Sequence, residues 1–469
     1  MQLQIRLKES PFGFAAGEGW SDDMQRLQIS DNKHGFVLED GSPFFWLGDT
    51  AWVLFMMSEE DIEFYMADRA GRGFNVIQCM VIRGVLKESA PCPPENKNLT
   101  PCYGGALPFS SFSPLEFNER YFAHIDAIVD AAARHGLRMA MAAMWGCNAD
   151  TMFCDPLRDN YAYARFLGER YKDRTNVIWI ASGEYEKIIP NWEEKAPYVI
   201  DDRQKRLLSR LGEGLRDGSA GRHLITIHPI FTSARDFHDS PWLDFNMQQT
   251  CGHLAPNIRR IAEDYARTPA KPVLNGEPGY ENRLEKKGGW ERTSWYLRNE
   301  GYWSVFSGGA GFTYGAHGVW KFGGDWREAL ELEGGSQMRY LRRLIESRPM
   351  LERIPRQEAV VSDAGAPTNQ TAIRATGAAD GGYLMVYSAK GLPFEIDMTR
   401  LSGARARAWW FSPRDGRAYN GEGQPTEKPF AELPTEGKAA FAPPTSGENL
   451  DWVLVLDDAA RGVGAPGSH

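Results

Sequence analysis

The stretch "FFWLGDTAWVLFMMSEEDIEFYMADRAGRGFNVIQCMVI", residues Phe44–Ile82, decides the fold. Both of its ends are continuous apolar and β-branched runs, the pattern of strands covered on both faces rather than half-exposed ones. Between them Ser58 stands three residues before Asp61, a spacing that lets side chains satisfy the free N–H groups at a helix start. Strand, helix and strand in that order make one βαβ unit, and a βαβ unit implies a parallel sheet.

Further along the chain the same texture repeats. "RMAMAAMW" from Arg138, "NVIWIASGE" from Asn176, "HLITIHP" from His223, "LDFNMQQT" from Leu243, "KPVLNGEP" from Lys271 and "GAGFTYGAHG" from Gly309 bring the strand-like runs to eight. Helical stretches lie between most of them. "NERYFAHIDAIVDAAARHG" sets Phe122, Ile125, Ile128, Val129 and Ala132 on one stripe and stops at Gly136. The connection from Pro229 to Trp242 has room for only a turn or two. This alternation predicts an α/β fold, a (β/α)8 TIM barrel; an open doubly wound sheet would carry a Gly-rich phosphate loop after its first strand, and "GDTAWVLF" is not one. Ahead of the barrel, "LQISDNKHGFVLEDGSPFF" reads as an N-terminal β-hairpin turning at Asp40–Gly41 and plugging the barrel floor.

After Pro355 the texture changes to short runs split by Gly, Pro and Asp, such as "YLMVYSAKG", "FEIDMT", "ARAWWFSPRDGRA" and "DWVLVLDD", with no helix among them. A C-terminal antiparallel β-sandwich domain is expected there. The expected division is residues 1–353 for the barrel with its hairpin, 354–459 for the sandwich and 460–469 for a disordered tail containing "GVGAPGSH".

Bulk properties narrow the function. The 469 residues are 42% apolar and 25% charged, the balance of an ordinary globular chain, and the net charge of −9 without Lys/Arg clusters argues against nucleic acid as a partner. Fifteen Trp suit sugar faces, and suit a large core equally well. No apolar run is long enough to cross a membrane, and the start lacks a long apolar leader segment, so the chain reads as cytoplasmic or, if already trimmed, periplasmic. Cys92 and Cys102 share a Pro-rich loop and could pair in an exported protein. His223, His228, His238 and His253 lack the close spacing of a metal site, and "ASGE" is not a serine-nucleophile elbow, so no metal or cofactor is expected.

In such a barrel the C-terminal strand ends carry the chemistry. They supply Asp49, Gln78 or Arg83, Trp145 with Asn148, Glu184, His228, Gln248 or Gln249, Glu277, and Tyr314 with His317. Glu184 and Glu277 end the fourth and seventh runs, where two carboxylates can face each other across the barrel mouth. A glycosidic bond needs such a pair, one group to donate a proton and one to attack or to activate water. Each residue also has a plainer reading. Glu186 could replace Glu184, Asp49 could bond the turn that follows it, His228 could be a satisfied core histidine, Arg83 could sit in a buried ion pair, and Trp145 could be core. The rival for the whole chain is a binding protein that has lost turnover and docks on a polysaccharide or on collagen.

With "FFWLGDTAWVLF", "EEDIEFYMADRAGRGFNVIQ", "NVIWIASGE", "LDFNMQQTCGH", "PVLNGEPGYE" and "GGAGFTYGAHGVW" in this order, the chain from Leu27 to Pro349 resembles the apiosidase-like barrels of glycoside hydrolase family 140. Its C-terminal part is similar to the collagen-binding-type sandwich that such proteins carry. The resemblance implies a retaining, exo-acting glycosidase on an apiofuranoside-like or other plant-derived glycoside. It gives Glu184 the acid/base role and Glu277 the nucleophile role; of the strand-end residues, Asp49, Arg83, Trp145, Asn148, His228, Gln249, Tyr314 and His317 are then expected around the sugar. One departure stands out: the family pattern has Asp in a "GGD" setting after the fourth strand, and this chain has "SGE". Gly183 also replaces the Asn of many related barrel glycosidases, so a contact to the sugar 2-hydroxyl has to come from elsewhere.

Overall fold

A computed structural model describes residues 24–84, 99–188, 199–251, 254–284 and 291–468. Its first elements are three short antiparallel strands, β1 (Leu27–Ile29), β2 (Phe36–Leu38) and β3 (Pro43–Phe44). Gly41 takes φ +82° in the β2–β3 turn, where the sequence places a hairpin, and β1 extends that hairpin by one strand. From β2 the Phe36 ring packs edge-on to Phe245 at 5.2 Å and against Trp46 at 5.9 Å, so an aromatic stopper fills the barrel at its N-terminal end.

The barrel strands are β4 (Trp46–Thr50), β5 (Val76–Met80), β8 (Arg138–Ala142), β9 (Val177–Gly183), β10 (Ile225–His228), β11 (Asn246–Gln249), β12 (Val273–Glu277) and β13 (Gly311–Tyr314); a small hairpin, β6 (Phe109–Phe112) with β7 (Leu115–Phe117), lies in the second connection. They pair in parallel in the order β10-β9-β8-β5-β4-β13-β12-β11. Between β10 and β11 the wall is joined by the Asp244 N–H on the Ile225 carbonyl and the Thr226 hydroxyl on the Phe245 carbonyl, each at 2.8 Å.

Helices α1 (Glu59–Gly71), α2 (Glu119–Arg134), α3 (Pro156–Tyr171), α4 (Asp202–Gly218), the short α5 (Ala234–Phe237), α6 (Leu254–Tyr265), α7 (Ser294–Phe306), the short α8 (Trp326–Ala329) and α9 (Glu333–Glu346) surround the strands. Ser58 caps α1 by accepting the Asp61 N–H at 3.1 Å, and the apolar stripe of α2 is buried on the barrel.

Beyond the barrel come β14 (Arg353–Pro355), β15 (Ile373–Ala378), β16 (Tyr383–Ser388), β17 (Phe394–Asp397), β18 (Arg405–Phe411), β19 (Ala418–Tyr419), β20 (Ala431–Pro434), β21 (Lys438–Phe441) and β22 (Trp452–Asp458). One antiparallel sheet runs β14-β15-β16-β22-β18-β19, with β20 also on β18, and the β17–β21 pair forms a second layer. The two-residue period of the strands divides their side chains. Leu384, Val386, Leu454 and Leu456 face the second layer, whereas Met385, Tyr387, Val453 and Val455 join the barrel's core. β16 and β22 are therefore buried on both faces, which their sequences, read as one-sided strands, do not announce.

α7 is the shared wall between the two sheets, and every one of its residues is buried. Its Arg298 grips both oxygens of Asp451 at 2.8 and 2.9 Å, while the Trp295 and Trp303 indoles donate to the carbonyls of Ala389 and Ala372. Arg348, just after α9, holds both oxygens of Asp457. The C-terminal residues, expected to be disordered, lie along α9: the Gly467 carbonyl accepts from Arg343 and its N–H donates to Ser347 Oγ. Part-buried polar partners at the end of α9 outweigh the Gly- and Pro-containing composition there. Cys102 is a free buried thiol inside a turn closed by its own N–H on the Ala106 carbonyl, so it forms no bridge with Cys92, which lies outside the described residues. Cys154 is disulfide-bonded. Among the described residues no helix is long and apolar enough to cross a membrane.

Candidate active site

Strand ends do not aim side chains by themselves, because every second residue points away from the barrel axis. On β12 the alternation turns Asn275 outward, to Ser304 of α7 at 3.1 Å and Thr250 at 3.3 Å. Glu277, two residues on, would follow it. The pairing with β11 slips at this point: Gln248 pairs with Asn275, but Gln249 pairs with Glu277, leaving Gly276 as the extra residue of a bulge. The bulge reverses the phase and turns Glu277 inward. Its Oε2 lies 3.0 Å from His228 Nε2, past the intervening strand β11, and its Oε1 accepts the Tyr280 hydroxyl at 2.7 Å. Tyr280 in turn accepts from the Trp52 indole at 2.9 Å, and the Glu277 side chain keeps only a small opening to solvent.

Glu184 follows the last residue of β9 with φ +42°, a left-handed backbone that a non-glycine residue adopts only where its surroundings hold it there. Its Oε2 accepts the Trp145 indole N–H at 3.0 Å and its Oε1 the Gln249 amide at 3.2 Å. Gln249 thus stands in register with Glu277 while its side chain reaches Glu184. Two other groups sense both carboxylates. Burial first, then the charges of Glu277 and Glu184, push the Cys251 thiol up to about 12, and the same order of causes raises the Tyr280 phenol. The two carboxylates therefore share one site.

An aromatic frame surrounds them. The Trp52 and Trp145 rings meet edge to face at 4.9 Å, both pack on the His228 imidazole, and Trp320 stacks on Tyr280 at 5.9 Å. His317, in the connection after β13, is tied by its backbone to the Glu281 carbonyl; burial and then Lys321 lower its imidazole, whose Nδ1 has no partner among the described residues. Asn148 is buried after β8 against Gly84, and Arg83 stands partly exposed beside it, its carbonyl accepting from Thr100.

Two expected sugar contacts are corrected. Asp49 and Tyr314 pair with each other across β4 and β13, and both point outward into the helix layer. Asp49 is fully buried, accepts the Tyr65 hydroxyl of α1 at 2.6 Å and lies 3.7 Å from Arg69; burial holds it up at about 6 despite that charge. Tyr314 donates to Glu281, whose other oxygen accepts the Gly334 N–H at the start of α9. Glu186, the alternative to Glu184, is also turned away: it accepts the Ile230 N–H at 2.7 Å and faces Arg235, and burial raises it to about 7.

Sequence reasoning missed Trp52, Tyr280 and Trp320. Tyr280 had a usable signal, since a tyrosine three residues past a strand-end glutamate, beyond Pro–Gly, can fold back on it. Among the described residues no group of His, Cys, Asp and Glu has the arrangement to hold a metal ion.

The model of the apiosidase-like catalytic domain matches residues 30–352, and the model described as "Putative collagen-binding domain of a collagenase" matches residues 354–457. A solved structure described as a glycoside hydrolase superposes with a TM-score of 0.78 at 28% identity, over 93% of this chain and 97% of that one. A glycoside hydrolase family 5 structure from Bacteroides vulgatus ATCC 8482 gives the same TM-score and identity, over 93% and 94% of the two chains. None of the curated proteins matches the chain.

Proposed function

The chain belongs to the apiosidase-like glycoside hydrolases, and from that premise we propose that it removes a terminal sugar from a plant-type glycoside, such as an apiofuranoside, by double displacement with retained configuration. A Glu277 oxygen attacks the anomeric carbon as the bond to the leaving oxygen breaks, and Glu184 delivers the proton that oxygen needs. Glu184 then takes a proton from water as the water attacks the same carbon, which frees Glu277 and releases the sugar. Atoms and charges balance over the two steps.

The observation that supports this reading best is the placement of Gln249, in register with Glu277 and bonded to Glu184, because it ties both carboxylates to one opening. The Tyr280 hydroxyl fixes one Glu277 oxygen, so the other is presented toward His228 and the substrate. Trp145 and Trp320, both part-exposed, supply apolar ring faces for sugar C–H groups, and the buried Trp52 backs them. His317 lies where ring hydroxyls would reach and Arg83 lines the approach, whereas His228, Gln249 and Asn148 are buried and act from behind, His228 on Glu277, Gln249 on Glu184 and Asn148 under Gly84. Asp49 and Tyr314 have no part in it.

The test is turnover on a panel of aryl furanosides and pyranosides, with NMR of the first-formed sugar. A product with the anomeric configuration of the substrate, lost in Glu277→Gln, supports the proposal. An inverted product removes the nucleophile role of Glu277, and undiminished turnover in Glu277→Gln removes the site.

A further inference from the structure

Glu300 sits in the middle of α7, fully buried, and no step written above uses it. Its Oε2 accepts the Gly279 N–H at 2.8 Å and its Oε1 accepts the Thr250 hydroxyl at 3.0 Å. Those two donors come from the segment that carries Glu277 and from the one whose Gln249 holds Glu184. Gly279 lies between Glu277 and Tyr280, whose hydroxyl holds Glu277. Thr250 follows Gln249, whose amide holds Glu184, and the Thr250 N–H donates to the Glu277 carbonyl at 2.9 Å. Asn257 of α6 donates to the Glu300 backbone carbonyl, which fixes the helix at that point.

We propose that Glu300 is a positioning residue for the glycosidase site: in its ionised form it clamps the ends of β11 and β12 together and sets the relative placement of Glu184 and Glu277. The inference rests on the two-carboxylate reading and deepens it. An ionised carboxylate only accepts, and both neighbours present hydrogens to it, so the anion satisfies the pair with no donor left over. A protonated carboxyl, or an amide in its place, has to donate to the Thr250 oxygen, which turns that hydroxyl round, and it accepts the Gly279 N–H without the help of a charge. Both clamp bonds are then neutral and weaker, and a small displacement of catalytic groups costs far more in rate than in binding.

The neighbouring charges make this clamp responsive to pH. Arg292, from the segment before α7, favours the anion, but burial outweighs it and raises Glu300 to about 7. Glu277, Tyr280 and Cys251 are the titratable groups at the clamped strand ends, α6 contributes the uncharged Asn257, and Arg298 of α7 is engaged by Asp451. As pH falls through about 7 the clamp gains a proton and loosens, so turnover gains an acid limb there.

The experiment measures kcat and KM against pH for the full chain, for Glu300→Gln, for Thr250→Val and for Thr250→Ser, alongside the amide resonance of Gly279. Expected for Glu300→Gln is a roughly 10- to 100-fold loss of kcat, with KM changed little, and loss of the limb near neutrality. Thr250→Val should lower kcat in the same direction, and Thr250→Ser, which keeps the hydroxyl, should restore it. The Gly279 resonance should titrate near neutral pH in the wild type and stay flat in Glu300→Gln. If Glu300→Gln does not fold, the Thr250 pair and the wild-type titration carry the test alone. Folded variants with wild-type kcat and an unmoved acid limb, or a Gly279 resonance that does not titrate, overturn the proposal. A Gly279 titration in a protein that cleaves no glycoside would leave the clamp standing and fault the two-carboxylate reading instead.

Discussion

Trp145 lies so close over Gly183 that a Cβ at that position would stand 2.1 Å from the ring's Cζ3. The glycine before Glu184 is thus explained by an aromatic neighbour: the indole occupies the space a larger residue would fill, and its N–H holds the carboxylate. Gly183→Ala should cost about 1–3 kcal/mol of stability through overpacking and should reduce turnover with it, measured by thermal melts and kcat together. Trp145→Phe keeps most of the ring and removes one charge-assisted donor, so kcat should fall roughly 10-fold or more while the melting temperature moves little. The two glutamates were legible from the sequence because a strand-end rule locates them. Their partners were less so: Gln249 was found by the same rule, Tyr280 had only its spacing from Glu277 as a signal, and Trp52 and Trp320 matter through side-chain reach, which linear spacing does not encode.

β4, β12 and β13 show where reading by element fails and why. A strand end names a place along the barrel axis, but the two-residue period decides the face, and one bulge residue reverses it. Asp49 and Tyr314 keep the outward phase, whereas Glu277 loses it at Gly276, a glycine whose position inside a strand is the trace a bulge leaves in sequence. Asp49→Ala should therefore act on stability alone. It strands Arg69, but Asp68 and the Leu330 carbonyl still hold that guanidinium, so the expected cost is about 2–4 kcal/mol, at or below the usual range for breaking a buried pair. Denaturant unfolding measures that loss, and kcat per folded molecule should stay at the wild-type value; a selective rise in KM would return Asp49 to the sugar site.

Across the whole molecule, buried carboxyls and surface carboxylates pull the pH dependence in opposite directions. Burial holds Glu186 and Glu300 at about 7 and Asp49 at about 6, above the ordinary 4.5 and 3.8, so the folded chain takes up these protons before the unfolded one. Their effect is to strengthen the fold as pH falls from about 7 toward 4.5 and to weaken it as pH rises through 7. Glu119 and Asp380 are lowered by Arg170 and Arg461, so their stabilisation is present above the ordinary carboxyl range and is lost as pH falls below it. The melting temperature should peak between roughly pH 4.5 and 7, on the acid side of the pH that favours turnover, and Glu186→Gln should flatten the slope between about pH 4.5 and 7. Calorimetry should also show one cooperative transition. A chain ending at Pro355 should not fold, because α7 would lose the apolar cover of β16 and β22, and Arg298 and Arg348 would lose Asp451 and Asp457. A helix that is interior on every side belongs to neither half alone. Recombination that swapped the C-terminal half for a foreign one would, in the same event, expose α7 and slacken the ends of β11 and β12 that its Glu300 holds, so the two halves are heritable only as a matched set.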